Sequence, residues 1–396
     1  MVPKASLRSW GSKPGASMKN GDIEFIIQND FRVTILENAY SREESKKTKK
    51  GGKTVKKVFI SFFVVAVALL FSNLSSISNA AEKVTEMKIA SPFGNVTTNG
   101  YTPEWMANEL RRRGLADGRL DVKCYSNAQL GGELELFNKL KAGAIHLTVN
   151  SFQVMSGFDD KAALGLLPFL FDTDEKAEKF LNSPMVEEVS KSLESQGVKN
   201  LGYLKFGRFC MSGRKPIKTP EDLKGIKIRI AESPVPLAIF KALGIQATPT
   251  PWAEAYEALK RGIVDGIDMA IEPVWGTRMY EVVKYCSQTS HVYGFNFVFV
   301  NKKWFESLPG DVQEFISDTV QDVSLMERIV VLRREQQAIK DFQRKGITVI
   351  PLTAQEKMPF IKAALPVHKQ YLDRIGRDLV KRTYDLVNFP YAKDVL

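Results

Sequence analysis

Cysteine and histidine are scarce, with three of each in 396 residues. Cys124, Cys210 and Cys286 lie far apart and form neither a C-x-x-C pair nor a zinc-ligand spacing, and an odd count leaves at least one thiol unpaired. They read as buried thiols acting as small hydrophobes. His146, His291 and His368 are equally scattered, and His146 falls inside the apolar run 144–149, where a structural histidine is the simplest reading. Missing too are a Gly-x-Ser-x-Gly elbow, a phosphate loop, a His-Glu-x-x-His pair and a dinucleotide fingerprint. No catalytic centre, cofactor or metal is therefore expected. No hydrophobic run reaches the roughly 20 residues a bilayer requires; the densest covers residues 58–71.

A surplus of one charge is also lacking over most of the chain. The net charge of +11 divides unevenly: residues 1–80 hold 13 Lys and Arg against 6 Asp and Glu, whereas the other 316 residues hold 43 against 39. So even a balance, with no basic cluster after residue 81, excludes nucleic acid as a partner. The local surplus has its own explanation, because Lys46, Lys47, Lys49, Lys50, Lys53, Lys56 and Lys57 stand directly before the apolar run. Residues 55–80 thus have the layout of a signal peptide, with the small residues Ser78 and Ala80 fitting cleavage after Ala80. An uncleaved anchor is the alternative. Residues 1–54 are foreign to such a leader and contain Gly11, Pro14, Gly15, Gly51 and Gly52, so a misassigned start is the reading, with Val55 as the true first residue.

What is present is a globular composition, 44% hydrophobic and 26% charged, enough for about two domains and against disorder. Beyond residue 84, β-like runs alternate with helical stretches. Strands are expected at 86–91, 120–125, 145–150, 226–230, 264–271 and 347–350, with an apolar run at 198–206. Helices are expected at 101–113, 132–141, 174–196, 234–243, 252–261 and 353–382. One long helix should cover 309–345, with Pro309 at its start, Gly346 past its end, and Val312, Phe315, Ile316, Val320, Val323, Met326, Ile329 and Val330 as its apolar residues. At 1.5 Å per residue it would be on the order of 50 Å long, so it must cross between two α/β units. The fold class is α/β, a two-domain clamshell with several interdomain crossings. Domain I is taken as 81–206 plus 296–334, and domain II as 207–295 plus 335–396.

Four segments sharpen this reading: residues 127–133 (NAQLGGE), 219–229 (TPEDLKGIKIR), 252–259 (WAEAYEAL) followed by Val264-Asp265-Gly266, and 280–285 (YEVVKY). Each alone is weak. In this order and spacing the chain, over about residues 84–385, resembles the solute-binding receptors of tripartite ATP-independent periplasmic (TRAP) transporters of the dicarboxylate-binding type. The resemblance implies a periplasmic receptor, not an enzyme, which binds an organic acid in the interdomain cleft. It would deliver that acid to a permease with a small and a large membrane subunit, driven by an ion gradient. A sensor protein docking on a membrane receptor, or an exported enzyme on a similar scaffold, are the alternatives. The sequence carries no signal of oligomeric state.

Site residues follow from the same resemblance, each beside a plainer reading. Arg229, on a strand whose isoleucines alternate with basic residues, reads by pattern as an exposed charge; the family places here the arginine that grips the ligand carboxylate, which suits a planar fork of N–H donors. Arg208 matches a second ligand-facing basic position and could equally be an ion pair fixing the interdomain crossing. Trp252 aligns with an aromatic packed on the ligand's body, or opens a helix as a core residue. Glu133 at a helix start would accept hydrogen bonds from the ligand, or stabilise the helix dipole. Ser151 is a similar contact, or a cap. Met269 occupies the place of an asparagine that many members use on the carboxylate, and a thioether cannot make that bond. Together with Trp252 and the Pro92-Phe93 loop, it points to a less polar pocket and a monocarboxylate with an apolar or aromatic body.

Overall fold

The longest strand organises the molecule. In the computed structural model, which describes residues 84–114 and 119–396, a strand of 16 residues runs from Val198 to Gly213. The strands are β1 (Thr85–Ala90), β2 (Leu120–Tyr125), β3 (Leu147–Ser151), β4 (Val198–Gly213), β5 (Ile228–Ile230), β6 (Thr248–Pro249), β7 (Gly266–Ala270), β8 (Tyr285–Gln288), β9 (Tyr293–Asn301) and β10 (Thr348–Pro351). Their order is β2-β1-β3-β9-β4-β7-β5-β6, with β8 on β4 and β10 on β8. From Val198 to Arg208, β4 pairs antiparallel with β9; from Phe209 to Gly213 it pairs antiparallel with β7. One continuous strand is thus shared by two lobes, and register shifts between Lys205 and Gly207 bend it where it passes from one to the other.

Burial explains the layers. Val298, Val300, Met87, Ile89, Leu147 and Val149 point to one face of the first lobe, under the helix Thr98–Gly114 and the start of the helix Gly310–Arg344. The opposite face and the second lobe share a continuous core that includes Phe152, Phe180, Phe295 and Phe297. The helix Gly310–Arg344 has 35 residues and does cross: it packs on β4, on the helix Thr98–Gly114, on the helix Ile271–Gly276 and on β10. Its buried stripe runs through Val312, Ile316, Val320, Val323, Glu327, Val331, Glu335, Ala338 and Phe342. Met326 and Ile329, two of its apolar residues, lie off this stripe and are more than half exposed.

Two other expectations are corrected. The helix expected over 174–196 is two, Asp174–Leu181 and Pro184–Leu193. Pro184 holds the preceding Ser183 in extended backbone (φ −109, ψ 156), which a continuous helix cannot accommodate. The helix expected over 353–382 is also two, Ala354–Ile375 and Arg377–Val387, parted by Gly376 at φ +106. The leader, its cleavage after Ala80 and residues 1–54 lie outside the described residues. Among the described residues no helix is long and apolar enough to cross a membrane.

Candidate functional site

Arg229 sits in the middle of β5, flanked by β6 through Thr248 and by β7 through Ile267, both parallel. A one-turn helix, Pro220–Leu223, precedes the strand, closed by Asp222 accepting the Thr219 backbone N–H at 2.8 Å. Only 2% of Arg229 is exposed, against the exposed charge its sequence pattern alone would give. After β6 the chain turns back, and the carbonyl of Thr250 accepts Nε at 2.9 Å and Nη2 at 2.5 Å. That fixes the plane of the guanidinium and leaves Nη1 buried without a partner. Burial brings the Arg229 pKa down to about 10, although Asp268, Glu232 and Glu133 oppose the shift. It stays charged, in a place where charge is costly until an anion arrives.

The unpartnered nitrogen belongs to a side chain lining a cavity of about 540 Å³, a size that fits a small organic ligand. Trp252, half-buried in the short turn after Thr250-Pro251, stacks its ring 5.7 Å from the Arg229 guanidinium carbon. Phe93 faces it from the first lobe, 6.4 Å between ring centres at 67°, and packs on Phe206 at 5.4 Å. Phe93 is held by a tight loop in which its backbone N–H reaches Ser91 Oγ at 3.2 Å. Glu133 opens the helix Glu133–Lys141 on the first-lobe wall and accepts the backbone N–H of Ser151. Burial pushes its carboxyl up to about 7, a rise that the Ser151 hydrogen bonds and Arg229 resist and Glu232 reinforces. Glu135, Glu232 and Glu254 also line the cavity, and among the described residues Arg229 is its one cationic lining residue.

Arg229, Trp252 and Glu133 therefore meet at one cavity, and the other three sequence candidates do not join them. Arg208 pairs with Tyr293 in the β4–β9 ladder, donates from Nε to Glu335 at 3.2 Å and approaches Asp174 at 3.8 Å. It lines a separate cavity of about 280 Å³ with Gln288, Ser290 and Lys357. Ser151 caps the helix Phe152–Met155, accepting the Val154 N–H at 3.2 Å, and reaches the cavity through Glu133. Met269, 4% exposed on β7 opposite Cys210, lies in the core rather than in the cavity wall. Sequence reasoning missed Thr250, which orients the guanidinium, and Glu232, three residues past Arg229; closeness in sequence could have marked Glu232, whereas Thr250 lies 21 residues from Arg229 with no local signal. Among the described residues no three His, Cys, Asp or Glu side chains converge as metal ligands would.

Residues 97–374 match the model of a family described as bacterial extracellular solute-binding protein, family 7. The 2,3-diketo-L-gulonate-binding periplasmic protein of Escherichia coli K12 is 28% identical over 72% of this chain and 87% of its own. Among solved structures, the sugar acid binding protein of Advenella mimigardefordensis in complex with galactonate superposes with a TM-score of 0.74 at 25% identity, covering 77% of this chain and 98% of that one. A TRAP periplasmic solute-binding protein of Desulfovibrio salexigens with bound orotic acid gives a TM-score of 0.72 at 26% identity, covering 76% and 98%.

Proposed function

Because the chain belongs to the bacterial extracellular solute-binding proteins of family 7, we propose that Arg229 grips the carboxylate of an organic acid in the cavity between the lobes. The buried, unpartnered Nη1 of Arg229 carries this reading. A carboxylate is the anion whose two oxygens suit the guanidinium, and a desolvated site strengthens the pair. Trp252 and Phe93 cover the ligand's body, and Glu133 accepts its hydroxyl or amide donors.

One arginine among four glutamates argues for a monocarboxylate. A second carboxylate would meet Glu133, Glu135, Glu232 or Glu254 instead of a cation, and like charges in a partly buried site repel. The relatives with bound galactonate and orotic acid are consistent with a single acid group on a donor-bearing body. Closure follows from ligand contacts to both lobes, which favour the closed form only by their differential binding energy. The lobes are taken as 81–206 with 296–334 and 207–295 with 335–396; the register shifts in β4 at Lys205 and Gly207 support a hinge there. Delivery is to a TRAP permease of a small and a large membrane subunit, from a mature protein that begins after Ala80.

Native mass spectrometry of residues 81–396 from the periplasm, with denaturing release, tests the assignment. A stoichiometric monocarboxylic acid that is absent from Arg229→Ala is the expected result. Losing the charge-assisted pair should cost about 2 to 5 kcal/mol, at least about thirtyfold in affinity. Unchanged affinity in Arg229→Ala, measured by calorimetry with the released acid, overturns it.

A further inference from the structure

Cys210 and Cys286 are remote in sequence and adjacent in space. Cys210 lies on β4 and Cys286 on β8, where Ser212, two residues along β4 from Cys210 and so on the same face, opposes Cys286. Their Sγ atoms are 3.1 Å apart, both thiols are buried, at 2% and 0% exposure, and Cys210 also donates to the Met269 carbonyl at 3.1 Å. Two sulfurs in contact on paired strands of one rigid sheet need to approach by only ~1 Å to bond. Cys124, on β2 of the other lobe, has no such neighbour; burial pushes its thiol up to about 12, where it is inert as a nucleophile.

We propose that Cys210 and Cys286 form a disulfide when the protein folds in an oxidising compartment. Each bond made removes two electrons and two protons: one thiolate attacks the disulfide of a thiol oxidant and forms a mixed disulfide. The second thiolate then displaces the oxidant's sulfur, and the oxidant leaves as a dithiol. Such oxidants persist in the periplasm, the location shared by the family. Because the closed pair is buried, exchange must occur before the second lobe completes its packing. The bond encloses residues 210–286, a loop that contains Arg229, Trp252 and all of β5, β6 and β7, so it ties off the half of the cavity that carries the guanidinium. Closing a long loop restricts the unfolded chain, and this stabilises the lobe.

Thiol counting decides the matter and is independent of ligand binding. Residues 81–396 purified from the periplasm, unfolded in guanidinium with an alkylating reagent and no reductant, should take up one alkyl group, on Cys124. After reduction the count should rise to three, and an unreduced digest should hold one cross-linked peptide pair containing Cys210 and Cys286. The reduced protein and the Cys210→Ser/Cys286→Ser variant should melt at the same temperature, below the oxidised protein. Three alkyl groups without reductant, or a bridge involving Cys124, overturns the proposal.

Discussion

The Arg229 guanidinium differs from an ammonium in ways this site uses. Its fork spends Nε and Nη2 on the Thr250 carbonyl and leaves Nη1 without a partner, the donor proposed for the ligand. Lysine keeps the charge but cannot bond Thr250 and a carboxylate in one plane. Arg229→Lys should therefore weaken acid binding at least tenfold, about 1.4 kcal/mol, in calorimetric titration. Glu133 supplies a second test. With its pKa near 7 it is mostly protonated at pH 5.5 and ionised at pH 8.5. A ligand donor bonds the carboxylate better than the acid, so affinity should rise across that interval, and Glu133→Gln should flatten the profile. His368 supplies a test of stability in place of affinity. Its Nε2 faces the Pro168 carbonyl at 2.7 Å and its Nδ1 the Tyr384 hydroxyl at 2.6 Å, and burial lowers its pKa to about 4. Unfolded histidine titrates near 6.5, so below that value the unfolded chain binds the extra proton first. Stability conferred by neutral His368 is fully present above pH 6.5 and is lost as pH falls toward 4, about 2 kcal/mol by pH 5. Urea melts at pH 7 and 5 should show this difference in the parent and not in His368→Gln. Arg229, Trp252 and Glu133 were legible because each sits inside a short run with a recognisable neighbour pattern. For Arg208 the ion pair was one of the two readings left open, but its partners Glu335 and Asp174 were not legible, because they come from distant segments that no local pattern connects.

Secondary structure followed local chemistry where the signal was local. β2 has the bounds expected from its β-like run, and the helix Gly310–Arg344 was legible from its Pro start and Gly end. The breaks at Ser183-Pro184 and Gly376 carried signals in the sequence that the surrounding helical periodicity masked. The covered face of the long helix was not legible, since apolar periodicity does not say which of two adjacent rows the sheet covers, and Met326 and Ile329 face solvent. Helix Thr98–Gly114 shows what the sequence conceals altogether. A Cβ on Gly100 would lie 1.9 Å from the Gly94 carbonyl oxygen and 2.9 Å from the Phe93 carbonyl carbon. The helix and the Phe93 loop can touch only because residue 100 has no side chain. Gly100→Ala should push the loop out, costing on the order of 2 kcal/mol of stability and loosening the Phe93 wall of the cavity. Thermal denaturation and ligand titration of that variant should both move; a change in neither removes the loop from the site.

The two lobes meet through polar contacts as well as through the cavity. Glu272 on the second lobe accepts the Thr98 N–H at 3.0 Å and its hydroxyl at 3.1 Å, and Ser233 bonds the Gln153 carbonyl at 2.7 Å and the Ser156 hydroxyl at 3.1 Å. Glu272 is buried, which raises its pKa, so this bridge is held by a carboxylate kept from water. Contacts of this kind make closure a matter of a few hydrogen bonds, so the bonds proposed from the ligand to Arg229 and Glu133 would be enough to tip the balance. Small-angle X-ray scattering should show a smaller radius of gyration when acid is added to the parent protein. The radius of the Arg229→Ala protein should not change at the same concentration.

The sharing of β4 and β9 also dictates when the molecule can form. β3 at residues 147–151 has as its neighbour β9 at 293–301, and β9 in turn lies against the first part of β4. A chain emerging from the ribosome therefore lacks the centre of its first lobe until about residue 301 has been made, and such long-range pairing is slow to nucleate. Neither lobe is finished early as a domain that folds during synthesis. The nascent chain therefore stays open through most of its translation, and its sheet closes only once about three quarters of the chain has been made.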